Sequence, residues 1–145
     1  MKIYFASDHA GFQLKNYLKE QLNEDGYDIE DCGAFDFEPL DDYPDFIIPA
    51  AKKIANLPES RGIIVGGSGQ GEAMAANRIQ GVRAAVYYDG PLDIVKLSRS
   101  HNNANILSLG ARFISDQKAL KIVKLWLAEE FEGGRHEHRI NKLDL

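Results

Sequence analysis

The chain has 145 residues, of which 44% are hydrophobic and 27% charged, values that exclude a disordered segment and fit one globular domain over residues 1–145. A formal net charge of −5 excludes a general electrostatic attraction to nucleic acid or to anionic lipid. Cys32 is the single cysteine, so an intrachain disulfide is impossible. With no leader-like segment and no apolar run of about 20 residues, we expect a cytoplasmic protein.

Short apolar runs alternate with amphipathic segments along the chain, which is typical of repeated βα units. Strands are expected at 2–7, 27–32, 62–66, 82–87 and 105–109, and helices at 12–23, 45–56, 72–78, 92–100 and 115–130. Two glycines then precede a C-terminal helix within 133–145. This alternation predicts an α/β fold with an open parallel sheet that is covered on both faces.

In an open parallel sheet, ligands bind beyond the carboxyl ends of the strands. Asp8 and His9 follow the first expected strand, Tyr43 follows the second and Arg112 follows the fifth. We therefore expect these side chains at one edge of the sheet. Asp8 as a helix cap and His9 as an ordinary turn residue remain open alternatives.

The third strand runs into a glycine-rich loop, where positions 66–72 read GGSGQGE. Glycine lacks a Cβ, so this backbone can turn sharply and present its N–H groups to an anion or an enolate-like oxygen. Glu72 is either a first-turn residue stabilised by the helix N-terminus or a general base. A carboxylate beside an anion site repels the ligand unless it takes part in the chemistry, which favours the general base.

Several other uses of the glycine loop are disfavoured. A dinucleotide fingerprint follows the first strand, whereas this loop follows the third and has Glu72 at the third glycine position. A P-loop requires a lysine and a hydroxyl residue that are not in place here. A receiver-like signalling domain has the same alternation of elements, but it requires an aspartate where Gly66 and Gly67 stand.

No metal or other cofactor is expected. His136 and His138 are two residues apart and would point away from each other on a helix. The chain also has no CxxC or HExxH spacing, which makes a structural or catalytic zinc improbable.

His101 and Asn102 lie between a helix and the fifth strand, and therefore at the opposite edge of the sheet from Glu72. A symmetric dimer that supplies His101 from a second subunit would bring the two together. Arg135 and Arg139 are four residues apart and share one helix face, which suits a phosphate. A solvated basic face explains the same spacing equally well.

Five segments carry a family resemblance: ASDHAG at 6–11, DYP at 42–44, GGSGQGEAMAANR at 66–78, SRSHNN at 98–103 and EGGRHEHR at 132–139. Together they resemble ribose-5-phosphate isomerase B, in a family that also includes galactose-6-phosphate and allose-6-phosphate isomerases. The resemblance covers nearly the whole chain. It implies a three-layer α/β/α sandwich with a five-stranded parallel, Rossmann-like sheet. It also implies metal-free aldose–ketose isomerisation through a cis-enediol, in a homodimer with shared active sites.

The resemblance further implies which residue is the base. One branch of the family has a cysteine base immediately after the third strand, where this chain has Gly66. A second branch has glycine there and a glutamate just past the loop, which Glu72 matches. By this resemblance Glu72 takes the proton from C2 of the open-chain aldose and returns it to C1. His101, supported by Asp8, protonates the ring oxygen and opens the sugar ring.

The remaining implied roles concern substrate binding. The enediolate would be stabilised by the Ser68 hydroxyl and by backbone N–H groups of Gly67, Ser68, Gly69, Gln70 and Gly71. The phosphate would be held by His9, Arg112, Arg135 and Arg139. Asn102 would bond a substrate hydroxyl or oxyanion, and Tyr43 would lie against the sugar. The helix within 133–145 is expected at the dimer interface.

The reaction type is better defined than the sugar. Ribose 5-phosphate is the expected substrate, because the whole pattern resembles the ribose enzymes. A hexose 6-phosphate, a tetrose phosphate and a phosphosugar-binding protein without turnover remain alternatives. The length of the pocket depends on the acidic loop 34–42 and on the partner subunit. The pairing of dimers into tetramers is left open.

Overall fold

The computed structural model describes residues 1–144. The strands are β1 (Lys2–Ser7), β2 (Asp28–Asp31), β3 (Arg61–Gly66), β4 (Ala84–Tyr87) and β5 (Ile106–Gly110). The α-helices are α1 (Phe12–Glu24), α2 (Pro44–Ala55), α3 (Gln70–Ala76), α4 (Leu92–Ser100), α5 (Asp116–Ala128) and α6 (Arg135–Ile140). A short 3₁₀ turn, His9–Gly11, joins β1 to α1. Within residues 1–144, no helix has the length and apolar character needed to span a bilayer.

The five strands form one parallel sheet in the order β2-β1-β3-β5-β4. Ser7 at the end of β1 pairs in register with Val65 near the end of β3, so these two strands end at the same level. The helices that follow them, α1 and α3, pack on opposite faces of the sheet. The loops after β1 and β3 therefore diverge, which opens a crevice at the carboxyl edge of the sheet.

Two apolar cores hold the helices against the sheet. On one face, α1, α4 and α5 pack on the strands through side chains that include the fully buried Leu18, Ile122 and Trp126. On the other face, α2 and α3 bury Ile47 and Ala76 among their contacts. The expected α/β fold, with three layers and five parallel strands, is confirmed.

The observed elements differ from the expected bounds by at most two residues, except at the C-terminus. Helix α3 begins at Gln70 instead of 72, directly after its N-cap Gly69, whose φ of +80° lies outside the right-handed helix. Strand β4 begins two residues later than expected. The Arg83 N–H, instead of bonding to a neighbouring strand's backbone, donates to the Asn105 side chain at 2.8 Å.

The expected C-terminal helix over 133–145 is shorter in the structure. Gly133 and Gly134 have φ values of +71° and +57°, a conformation outside the right-handed helix. Helix α6 therefore begins only at Arg135. It ends at Ile140, and turns continue through residue 144. Position 145 lies outside the described residues.

Candidate active site

Asp8 lies at the carboxyl edge of the sheet, immediately after β1, and is buried. Its Oδ1 accepts the backbone N–H groups of Ala10 at 3.0 Å and Gly11 at 3.3 Å, so it caps the 3₁₀ turn that leads into α1. The capping interpretation of Asp8 is therefore correct. Its negative charge also reaches Glu72, which makes Asp8 part of the same polar cluster.

Glu72 is 4% exposed and belongs to the first turn of α3. Burial raises the pKa of its carboxyl group, and the nearby charge of Asp8 acts in the same direction. The carboxyl group lies directly against the backbone of Gly66, and a Cβ at that position would overlap it. Glycine at the end of β3 is therefore what allows a carboxylate to lie there.

The glycine loop turns back over the ends of β3 and β5. Gly69 has a φ of +80°, and its carbonyl oxygen accepts the Ser108 hydroxyl at 2.7 Å. The Ser68 oxygen accepts the Gln70 N–H and keeps its own proton free to donate. The Gln70 N–H is thus already bonded within the chain, which makes it a weaker candidate for the substrate than expected.

Arg112 and Tyr43 flank the glycine loop. A Cβ at Gly67 would lie 3.0 Å from the Arg112 guanidinium carbon, and a Cβ at Gly71 would lie 2.7 Å from the Tyr43 ring. The Arg112 N–H also donates to the Gly67 carbonyl at 3.1 Å. The structure therefore brings both expected side chains to the loop, and each packs closely only because a glycine faces it.

His9 is held by a residue that the sequence interpretation did not select. Asp41 Oδ1 lies 2.7 Å from His9 Nδ1 and 2.9 Å from the His9 backbone nitrogen. This hydrogen bond is the main reason that the pKa of His9 is raised, with Asp8 adding to the effect and Arg112 opposing it. The signal in the sequence was the acidic loop 34–42, but nothing in it distinguishes Asp41 from the neighbouring acids.

His101 and Asn102 follow α4 and lie at the amino edge of the sheet, before β5. The imidazole of His101 stacks on that of His136, with ring centroids 4.0 Å apart and planes inclined by 14°. Glu132 Oε2 lies 3.4 Å from Nε2 of His101 and 3.3 Å from Nε2 of His136. Burial lowers the pKa of His136, and proximity to His101 lowers it further.

Arg139 lines a groove of about 250 Å³ together with His101, Asn102 and His136. Arg135, in the first turn of the same helix, is exposed. The predicted site residues thus fall into two groups within one chain. Glu72 and its neighbours lie at the carboxyl edge, and His101 and its neighbours lie at the opposite edge.

Two groups of side chains within residues 1–144 offer metal-ligating atoms within 4.8 Å of one another. In the group of Asp8, His9 and Asp41, the 2.7 Å separation of Asp41 and His9 is a hydrogen bond. In the group of His101, Glu132 and His136, the nearly parallel rings direct their in-plane lone pairs side by side. In both groups the donor atoms are engaged in contacts with one another within the chain.

A buried carboxylate, a glycine loop and the basic side chains of His9 and Arg112 thus meet where the sheet's loops diverge. This arrangement is typical of α/β proteins that bind a small anionic ligand.

Comparisons with known proteins identify the family. Residues 3–143 match the Ribose/Galactose Isomerase family. The chain is 40% identical over 144 residues to ribose-5-phosphate isomerase B of Mycolicibacterium paratuberculosis, covering 99% of this chain and 89% of that protein.

Solved structures agree with this assignment. Ribose-5-phosphate isomerase B from Mycoplasma genitalium with bound ribulose-5-phosphate has a TM-score of 0.93 and 40% identity, over 98% of this chain and 93% of that one. The Thermotoga maritima ribose 5-phosphate isomerase has a TM-score of 0.91 and 44% identity, over 99% and 97% of the two chains. The chain belongs to the ribose/galactose isomerase family.

Proposed function

We propose that this protein is an aldose–ketose isomerase that interconverts ribose 5-phosphate and ribulose 5-phosphate. The observation that carries the proposal is Glu72, a buried carboxylate beside the glycine loop in a chain of the ribose/galactose isomerase family. The pentose is favoured over a hexose because the Mycoplasma genitalium relative was solved with ribulose-5-phosphate bound. A galactose 6-phosphate activity is the second candidate, since the family description includes galactose.

The reaction moves one proton between adjacent carbons. Glu72 removes the proton from C2 of the open-chain aldose, and the C2–H electron pair forms the C1–C2 double bond while the negative charge develops on O1. A proton then shifts from O2 to O1, and Glu72 returns its proton to C1 as the charge now on O2 forms the C2 carbonyl of the ketose. The raised pKa of Glu72 suits this task, because a stronger base accepts the C2 proton more readily.

The enediolate oxygen needs hydrogen-bond donors that are in place before the charge develops. The glycine loop supplies backbone N–H groups from Gly67, Gly69 and Gly71, together with the unused proton of the Ser68 hydroxyl. Removing one such donor typically costs about 3 kcal/mol of transition-state stabilisation. These donors and Glu72 belong to one continuous segment of the chain, which is held from outside by the Ser108 hydroxyl on the Gly69 carbonyl and by the Arg112 N–H on the Gly67 carbonyl.

Ring opening requires an acid, and His101 is assigned that role in a homodimer. Within one chain His101 lies at the opposite edge of the sheet from Glu72, so a second copy supplies it. Arg135 and Arg139 of that second copy then bind the phosphate together with His9 and Arg112 of the first. Asn102 accompanies His101 and bonds a sugar hydroxyl. Asp8 supports His101 across the interface, where helix α6 is also placed.

The cytoplasm is the proposed location. Cys32 is half-buried, and burial raises the pKa of its thiol, so it behaves as an unreactive packing residue. A single unreactive thiol fits a reducing compartment.

Conversion of ribose 5-phosphate to ribulose 5-phosphate, measured with a chelator present, tests the proposal. We expect activity in the parent and a loss of about 10²- to 10⁴-fold in Glu72→Gln, because the general base is removed while the phosphate contacts remain. Glu20→Gln, an exposed glutamate on α1, is the matched control and should retain parental turnover.

Three outcomes would contradict parts of this proposal. Parental turnover in Glu72→Gln would remove Glu72 as the base. Turnover of galactose 6-phosphate but not of ribose 5-phosphate would move the assignment to the hexose. Binding of ribose 5-phosphate without turnover by the parent would identify a phosphosugar-binding protein.

A further inference from the structure

The acidic loop 34–42 is tied to the rest of the chain at both ends. At its start, the fully buried Lys15 ammonium donates to Asp31 Oδ1 at 2.9 Å and to the Ala34 carbonyl. The Ala34 N–H also donates to the Ser7 carbonyl at 2.8 Å, which aligns the loop with the end of β1. At its far end, the loop is tied by Asp41 to His9. This loop is therefore a fixed segment beside the site.

The contact between Asp41 and His9 joins residues that are 32 positions apart in the sequence. One carboxylate oxygen accepts both the His9 backbone N–H at 2.9 Å and the Nδ1–H of its ring at 2.7 Å. The Asp41 side chain is only 8% exposed, so water competes little for this oxygen. Two bonds from one residue to one oxygen fix both the backbone position of His9 and the rotation of its ring.

The bond at Nδ1 determines what the other ring nitrogen can do. With Nδ1–H donated to a carboxylate, the imidazolium form is favoured, and Nε2 on the far side of the ring is a second charged donor. The His9 side chain is 29% exposed, so this edge of the ring can receive a ligand. Asp8 and Asp41 favour the charged ring, whereas Arg112 after β5 opposes it. The negative charge of an incoming phosphate would also favour the charged form of the His9 ring.

We propose that Asp41 is a positioning residue for phosphate recognition, which holds the ring of His9 so that its Nε2–H is offered to the phosphate of the substrate. The inference rests on the proposed function, because it takes the phosphate of a sugar phosphate as the ligand. It assigns a role to the acidic loop: Asp41, the one acid of this loop that is not exposed, acts on the site through His9 and does not itself touch the substrate.

The test compares Asp41→Asn with Asp42→Asn, since Asp42 is the adjacent exposed acid. For Asp41→Asn we expect KM for ribose 5-phosphate to rise about tenfold with kcat within about twofold, because a charge-assisted contact to the phosphate is weakened. We also expect KM to rise with pH as His9 loses its proton. In Asp41→Asn this rise should begin at lower pH than in the parent, because His9 then loses its proton at lower pH. Asp42→Asn should behave as the parent.

A readout that does not depend on catalysis is the titration of His9 followed by NMR. The chain has 4 histidines, and the His9 signal is identified by its absence from His9→Asn. We expect Asp41→Asn to lower the titration midpoint of His9 and to weaken the binding of inorganic phosphate about tenfold. An unchanged midpoint together with unchanged phosphate binding would overturn the proposal.

A double variant separates positioning from a general loosening of the loop. If Asp41 acts through His9, adding Asp41→Asn to His9→Asn should change phosphate binding little further. Additive losses in the double variant would overturn the proposal, because Asp41 would then act by another route. If the parent fails to isomerise ribose 5-phosphate, the proposed function fails, while the NMR and phosphate titrations still decide the role of Asp41.

Discussion

Glu72 combines two properties that oppose each other, burial and charge. It is 4% exposed, and its carboxyl group lies against Gly66, where no other residue type leaves room for it. Removing a carboxylate from water disfavours its charged form, so the charged form that the proposed base requires costs folding free energy. The stability of the protein and the protonation state of the proposed base are therefore coupled at one side chain.

The coupling has a defined dependence on pH. The pKa of Glu72 in the folded protein is raised above its ordinary value near 4.5, so folding favours the protonated form. Its contribution to stability is therefore present below pH 4.5 and is lost as pH rises through the folded-state pKa. At neutral pH, Glu72→Gln should be more stable than the parent, with the difference disappearing at acidic pH.

Chemical denaturation of the parent and of Glu72→Gln at several pH values measures this difference. Glu20→Gln is again the control, and it should show no comparable gain. A parent that is more stable than Glu72→Gln at neutral pH would mean that the folded protein favours the charged carboxylate. In kinetics, the acid limb of the activity profile should have its midpoint above 4.5, because Glu72 must be deprotonated to act as the base.

At the scale of elements, the loop between β2 and α2 depends on one buried lysine. Lys15 on α1 is fully buried and bonds to Asp31 and to the Ala34 carbonyl. Lys19, one turn further along α1, bonds to the other oxygen of Asp31 at 2.6 Å but has a side chain that is 28% exposed. The two lysines share a partner and differ in burial, which makes them a matched pair.

Lys15→Met should destabilise the protein by about 2–3 kcal/mol, because it leaves a buried carbonyl without a donor and weakens the neutralisation of Asp31. Lys19→Met should cost at most about 1 kcal/mol, as expected for a partly exposed ion pair. Denaturant unfolding curves measure both. Equal losses of stability in the two variants would show that burial of Lys15 does not hold the loop in place. The contact of Asp41 with His9 would then be what holds it.

At the scale of the whole molecule, the two groups of site residues lie at opposite edges of one sheet. Helix α4 carries the chain back to the amino edge, where His101 stacks on His136, while Glu72 stays at the carboxyl edge. A parallel sheet with short connections offers no route that brings these edges together within one chain. The proposed homodimer is therefore a requirement of the proposed chemistry, and it has a consequence for mixtures of variants.

Two inactive variants, Glu72→Gln and His101→Asn, should restore activity when they are unfolded together and refolded as a mixture. A mixed dimer has one site with both Glu72 and His101 intact and one site with neither. Random pairing gives half mixed dimers, so we expect about a quarter of the parental activity. The separately refolded variants are the controls. No recovery, with mixed dimers present by native mass spectrometry, would place His101 and Glu72 in the same chain's site or remove one of them from the mechanism.

Local sequence determined the βα alternation, and with it the parallel α/β sheet. It also indicated the glycine loop with Glu72, because a strand end, a run of glycines and a helix start follow one another directly in the chain. Asp8, His9, Tyr43 and Arg112 were likewise located by their order relative to the strands, although their roles stay predictions. The bounds of α3 and α6 were less predictable, because glycines with positive φ decide where both helices begin.

Contacts between distant parts of the chain were decided by the tertiary structure alone. The sequence offers several acids in loop 34–42, and only the closure of that loop over the end of β1 selects Asp41 as the partner of His9. The stacking of His101 on His136 likewise depends on how the C-terminal segment returns to the end of α4. Spacing along a chain specifies which side chains share a local element, whereas the pairing of loops depends on the packing of the elements that carry them.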